Sequence, residues 1–167
     1  MVRPGDAILH EHMVEISIAA EPADSSSVRW CFGQYAQELG RAFGYELDTS
    51  LPLPIADLVP PHGVVLVARE GGDAVGCAAI KLGEPEFGEI KRMWVADRAR
   101  GRGLGGRLLD ALETIALDAG KTYTRLETNR HLTAAIAMYR KHGYEEVAPF
   151  NDEPFGDHWF EKPLVPR

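Results

Sequence analysis

Cysteine is scarce: the 167 residues hold two, Cys31 and Cys77. One bridge at most can form, which excludes a disulfide scaffold, and each thiol sits in an apolar stretch that reads as buried in a reducing compartment. No run approaches the roughly 18 apolar residues of a membrane span. The opening Met1-Val-Arg-Pro-Gly-Asp-Ala-Ile-Leu-His10 has neither a long apolar run nor a small-residue cleavage site. The expected location is therefore cytoplasmic, with no membrane partner. Positive charge is also short, 18 Lys and Arg against 25 Asp and Glu, for a net charge of −7. A basic field over the whole molecule is excluded, no nucleic-acid partner is expected, and any phosphate site has to be local. Internal repeats and low-complexity tracts are absent.

What is present is an ordinary globular composition, 45% hydrophobic and 26% charged, in a length that suits one domain. Residues 1–12 lack any period and are expected to form a flexible N-terminal arm, leaving 13–165 as the single domain. Val14, Ile16 and Ile18 alternate along a first strand, and Asp24-Ser-Ser-Ser offers N-caps for a helix over about 26–43. Residues 45–62 carry four prolines and read as a long, stiff surface segment. Two apolar runs, 63–68 and 74–82, flank Glu70-Gly-Gly-Asp73 as a hairpin. The next strand, 87–95, is expected to set Phe87, Glu89, Lys91, Met93 and Val95 on one face and Ile90, Arg92 and Trp94 on the other. A helix from Leu104 stopped by Gly120, a strand at 123–128, a helix at 133–142 ended by Gly143, a strand at 144–147 and a closing tail at 157–162 follow. This order predicts an α/β fold of the α+β kind, a mixed, largely antiparallel sheet interrupted by helices.

The most informative segment runs Met93-Trp-Val-Ala-Asp-Arg-Ala-Arg-Gly-Arg-Gly-Leu-Gly-Gly-Arg-Leu-Leu109. A strand leads into close-spaced glycines that open a helix. The first helical turn has free N–H donors and the positive end of the macrodipole, and glycines permit positive φ and close approach of a ligand. Arg98, Arg100, Arg102 and Arg107 are expected to surround that opening. Gly101, Gly103 and Gly106 formally satisfy G-x-G-x-x-G, with Glu127 21 residues beyond Gly106, but the loop follows three antiparallel-looking strands instead of opening the first β-α unit. The spacing of a nucleotide-triphosphate loop fails because Arg107-Leu108 stands where Lys-Ser/Thr is needed.

Arg100-Gly-Arg-Gly-Leu-Gly105 is an R-x-x-G-x-G pattern, and over most of the chain the sequence resembles the GNAT superfamily of N-acetyltransferases, in particular a bacterial small-molecule subgroup of unassigned substrate. The resemblance implies a mostly antiparallel sheet of about six to seven strands flanked by about four helices and splayed around an acetyl-CoA cleft. It implies that Met93, Trp94 and Val95 take the pantetheine, and that Arg100, Gly101, Arg102, Gly103, Leu104, Gly105 and Gly106 take the pyrophosphate. Leu126-Glu-Thr-Asn129 and Ala135-Ile-Ala-Met-Tyr139-Arg-Lys-His-Gly143-Tyr144 are similar to the family's second signature, which makes Asn129 a further cofactor contact. Leu132 stands where the family often has a second Asn.

Acetyl transfer to an amine requires a neutral nucleophile, a polarised carbonyl and a proton donor for the departing thiolate. The resemblance implies Glu89 as the base and Tyr139 as the acid; read as plain residues, Glu89 is a strand carboxylate paired with Lys91 or Arg92, and Tyr139 a core aromatic. His158 with Asp152, Glu153 and Asp157 either selects a cationic amine, supplies the base, or is a solvated acidic turn. Tyr35 and Tyr45 are candidate acceptor contacts. His10 and His12 lack a third ligand nearby, so no metal is expected. The expected function is N-acetylation of a small-molecule amine by acetyl-CoA, since nothing marks a peptide groove. The alternatives are a protein N-acetyltransferase, a non-catalytic acyl-CoA sensor and a nicotinamide enzyme. A homodimer is left open.

Overall fold

The structure, a computed structural model, describes residues 14–44 and 55–166; the arm at 1–12, with His10 and His12, and Tyr45 lie outside the described residues. The alternating and β-branched runs become seven strands: β1 (Ile16–Glu21), β2 (Gly63–Glu70), β3 (Asp73–Lys81), β4 (Phe87–Val95), β5 (Tyr123–Thr128), β6 (Glu145–Val147) and β7 (His158–Pro163). They form one sheet in the order β1-β2-β3-β4-β5-β7-β6, antiparallel throughout except for the β4–β5 pair. The helical segments among the described residues are α1 (Ser26–Phe43), α2 (Leu104–Asp118) and α3 (Thr133–Lys141), with two 3-10 turns at Ile55–Leu58 and Asp97–Ala99. Three α-helices thus stand where about four are expected.

Local chemistry explains the boundaries. Ser25 Oγ accepts from Val28 N–H at 3.1 Å to start α1, and Gly44, at φ 75°, ends it by returning its N–H to the Gly40 carbonyl. Gly71 and Gly72 both take positive φ, as a two-residue hairpin turn demands. The sheet is covered on both faces, which is why β2 and β3 read as nearly continuous apolar runs. Leu108, Leu109 and Leu112 of α2 pack with Leu66, Ile80, Leu126 and Phe160 on one face. Val28 and Cys31 of α1 pack near Val65, Val67, Cys77 and Trp94 on the other.

Two irregularities shape β4. The register jumps from Ala79↔Lys91 to Cys77↔Trp94, so β4 holds one residue more than β3 there, and Arg92 takes φ 54°. The extra residue inverts the side-chain alternation. Met93 and Val95 therefore join Ile90 under α2, while Arg92 and Trp94 turn to α1, correcting the uninterrupted alternation read from the sequence. The second irregularity is a split. β4 pairs with β5 only from Phe87↔Tyr123 to Glu89↔Arg125. Beyond that β4 stays with β3 and β5 with β7, so residues 90–95 present an edge with no strand on the β5 side among the described residues.

Candidate active site

The glycine run divides by role. Gly101 and Gly103 sit at φ 75° and 76°, and a Cβ on either would meet nothing within 4 Å. Glycine is needed there for backbone conformation, and the space beside it is open. Gly103 is the N-cap of α2 and no side chain caps that end, so the first-turn amides face outward without an intrahelical partner. Gly105 and Gly106 serve packing instead: a Cβ would lie 2.3 Å from Met138 Sδ and 2.4 Å from His142 Nε2, both at α3. Leu104 is buried in the core, which leaves only its main chain to face the loop.

The arginines around the loop are already engaged with neighbouring groups. Arg100 is held by both oxygens of Glu38 at 2.7 Å and by Asp97 at 2.8 Å, while its Nε donates to the Val95 carbonyl at 3.0 Å. Arg98 and Arg102 share Glu70, and Arg107 donates to the Ile16 carbonyl at 2.9 Å. These guanidinium groups brace the loop against β1, the β2–β3 hairpin and α1. Arg98, Arg100 and Arg102 satisfy carboxylates that an acidic protein has in excess.

Where β4 and β5 part, a cleft of about 840 Å³ opens. It is lined from both faces of the sheet: by Met93, Leu126 and Tyr139 on the side of α2 and α3, and by Phe32, Tyr35 and Arg92 on the side of α1. Lys91 and Glu127 stand at the split. The Lys91 ammonium reaches Glu89 Oε1 at 2.7 Å, Glu127 Oε1, and Glu153 Oε1 at 3.8 Å. Burial works against its charge, but the carboxylates of Glu127 and Glu89 together prevail and hold the lysine above its ordinary range. The Glu127 side chain is only 10% exposed, and its second oxygen, Oε2, is buried with no hydrogen-bond partner among the described residues. A buried carboxylate oxygen without a donor is costly unless a ligand or water completes it.

Tyr139 is 5% exposed, packed edge-on to Tyr144 at 6.0 Å and tilted on Phe160 at 6.1 Å. Burial pushes its phenol well above the ordinary tyrosine range, with Tyr35 and Glu127 adding to it. Among the described residues its hydroxyl has no protein partner, and it borders the cleft. Tyr35 is also pushed up by burial, and Arg92 opposes that shift.

The remaining residues singled out in the sequence are placed as follows. Glu89 pairs with Lys91, one of the two partners the sequence offers it, and does not line the cleft. Trp94 is buried beside Cys31 and Cys77. Asn129 spends its amide on the Phe155 carbonyl and Asp157 Oδ2, both at 2.9 Å, and its Oδ1 accepts from His131 N–H, so its side chain clamps the loop before β7. Asp152 is exposed, and His158 contacts the Glu146 carboxylate on β6; neither lines the cleft, while Glu153 of the same acidic cluster does. Lys91, Arg92 and Glu127 line the cleft too, and the sequence alone did not assign them to it. Their signal was there, as charged residues inside strands that are otherwise covered on both faces.

The profile of the Acetyltransferase (GNAT) family matches residues 29–144. An IAA acetyltransferase of Azospirillum brasilense is 37% identical over 159 residues, which is 91% of this chain and all of that protein. A candidate acyl-CoA N-acyltransferase of Klebsiella pneumoniae has a crystal structure that matches with TM-score 0.71 at 33% identity, covering 91% of this chain and 99% of that one. At 17% identity, an aminoglycoside 6'-N-acetyltransferase complexed with coenzyme A shares the fold with TM-score 0.66, over 90% of this chain and 98% of that one. The chain belongs to the GNAT family and is an acyltransferase.

Proposed function

We propose that this chain moves the acetyl group of acetyl-CoA to the primary amine of a small molecule by direct attack. The observation that carries the reading is the split between β4 and β5, which opens one cleft to both faces of the sheet and so lets two substrates meet without a covalent enzyme intermediate. The residues suit the cosubstrate. The open space at Gly101 and Gly103, with the uncapped first turn of α2, matches a diphosphate held by main-chain amides. The unpaired edge of residues 90–95, with Met93, Trp94 and Val95, suits an amide-bearing arm laid alongside it as an added strand. The solved relative bound to coenzyme A supports the same ligand.

Acetyl-CoA supplies an activated acyl group. An alkylammonium has a pKa near 10.4, so a base has to take its proton at neutral pH. Glu127 Oε2 is the oxygen in the cleft left to accept it, because Lys91 fills Oε1. This reading moves the base from Glu89 to Glu127 and gives Glu89 the task of positioning Lys91. Tyr139, kept protonated by its burial, presents a hydrogen-bond donor to the departing sulfur as the acid. The cleft is also lined by Ile55, Asp57 and Leu58 and by Glu153, Phe155 and Gly156, side chains available to contact an acceptor amine.

Thiol release from acetyl-CoA, measured over a panel of small amines and one peptide with a free N-terminus alongside calorimetric CoA binding, tests the reading. Release with small amines is the expected result. Release with the peptide alone assigns a protein substrate, and binding without release assigns a sensor.

A further inference from the structure

We propose that the acceptor amine also carries a carboxylate, and that Arg92 binds it. This rests on the acetyl-transfer reading above and names its substrate class. The cleft cations differ in how they are partnered. Lys91 is surrounded by three carboxylates, and Lys81 faces Asp57 at 3.5 Å. Arg29 has no such partner but is exposed at the rim. Arg92 is half-buried, lines the cleft, and among the described residues has neither an ion pair nor a side-chain hydrogen bond. In a chain with seven more acidic than basic residues, an unclaimed guanidinium in a cleft is conspicuous.

Its position is built, not incidental. The β4 bulge, where Arg92 adopts φ 54°, turns the side chain onto the α1 face, and Cys77 Sγ donates to the Arg92 carbonyl at 3.2 Å beneath it. The guanidinium then lies 5.7 Å from the Phe32 ring centre and 5.8 Å from that of Tyr35. Aromatic contacts hold the group and strip water from its faces without consuming its N–H donors. Those donors form a planar fork, which matches a carboxylate bidentately. The glycine loop opens α2, which covers the opposite face of the sheet, so Arg92 stands with the acceptor and not with the diphosphate.

The second half of the match is Glu127. Tyr35, Arg92 and Glu127 line the same cleft, so the guanidinium, 5.8 Å from the Tyr35 ring centre, and the Oε2 atom that has no partner among the described residues belong to one pocket. A ligand with an ammonium at one end and a carboxylate at the other completes both. A simple alkylamine leaves Arg92 bare.

The test compares amines matched except for the carboxylate: phenylalanine with phenethylamine, leucine with isoamylamine, and 4-aminobutyrate with butylamine. For each pair the ratio of kcat/KM is read from thiol release. The expected result is a ratio favouring the carboxylate by roughly 10- to 100-fold in at least one pair, the size of a charge-assisted hydrogen-bonded contact. In Arg92→Gln that ratio collapses toward one, and Arg92→Lys, which keeps the charge but loses the fork, retains part of it. Loss of fold or of cofactor binding would lower both members of a pair together and leave the ratio untouched. The proposal is overturned if wild type prefers the neutral member in every pair, or if the ratio survives in Arg92→Gln. Should no amine release thiol, calorimetry with the same probes in the presence of CoA separates the two ideas. Arg92-dependent binding of the carboxylate member then keeps the carboxylate site and rejects acetyl transfer, and no binding rejects both.

Discussion

Lys91 on β4 and Glu127 on β5 face each other where the two strands part, the ammonium fastened to Glu127 Oε1 while Oε2 remains buried and unpartnered. The pair spans the gap that main-chain hydrogen bonds give up after Glu89↔Arg125. It ties the walls of the cleft together and fixes the orientation of the carboxylate proposed above as the base.

Glu127→Gln is therefore expected to lower kcat/KM for amine acetylation by roughly 10²- to 10⁴-fold, the usual worth of a positioned base. Glu89→Gln should cost less than a tenth as much, because Lys91 keeps its bond to Glu127. Steady-state thiol release on the two variants decides the assignment. A larger loss in Glu89→Gln returns the base to β4.

Tyr139→Phe should reduce kcat by about 10²-fold or more with CoA affinity nearly unchanged. Among the described residues the hydroxyl has no protein partner to lose, so the melting temperature should hardly move. Full turnover in the variant would remove Tyr139 as the acid.

The glycines of the loop should separate by readout. Gly103→Val forces a β-branched side chain into φ 76° and places Cβ in the open space beside the loop, so CoA affinity is expected to fall at least tenfold in calorimetry. Gly106→Ala drives Cβ into the His142 ring and should cost roughly 1–3 kcal/mol in urea unfolding. Equal CoA affinity in wild type and Gly103→Val would count against the loop as the diphosphate site.

Lys91, Tyr139 and Tyr144 are all held above their ordinary pKa values, the lysine by Glu127 and Glu89 against its burial, the phenols chiefly by burial. Groups with raised folded-state values bind protons more tightly in the native state, so their contribution is complete below the unfolded values, near 10 to 10.4, and is lost as pH climbs above them. The urea midpoint should therefore fall between pH 10 and 11.5, and fall less steeply in Tyr139→Phe. A midpoint that rises over that interval would contradict these shifts.

Element types were legible because local signals agreed with the final packing. The 3.6-residue spacing after Asp24-Ser-Ser-Ser matches α1, the paired glycines at 71 and 72 make the hairpin turn, and the glycine run opens α2. The face assignment within β4 failed because one inserted residue at Arg92 reverses every side chain beyond it, and no single-residue signal announces a bulge. Glu89 drew attention by its place on the strand that leads to the loop. Glu127 drew none because what distinguishes it, a buried oxygen with no partner among the described residues, is created only by the surrounding packing.

The sequence by itself determined the order of strands and helices, the family to which their motifs are similar, and the loop whose glycines α2 needs at its start, since propensity, period and positive φ are local properties of the chain. Tertiary structure alone decided where the sheet splits, that the loop arginines are spent on carboxylates, and that Lys91, Glu127, Tyr139 and Arg92 meet around one cleft. Those facts depend on strand partners far apart in the chain, 36 residues in both Glu89↔Arg125 and Arg125↔Glu161, and on which charges find each other once the backbone has closed.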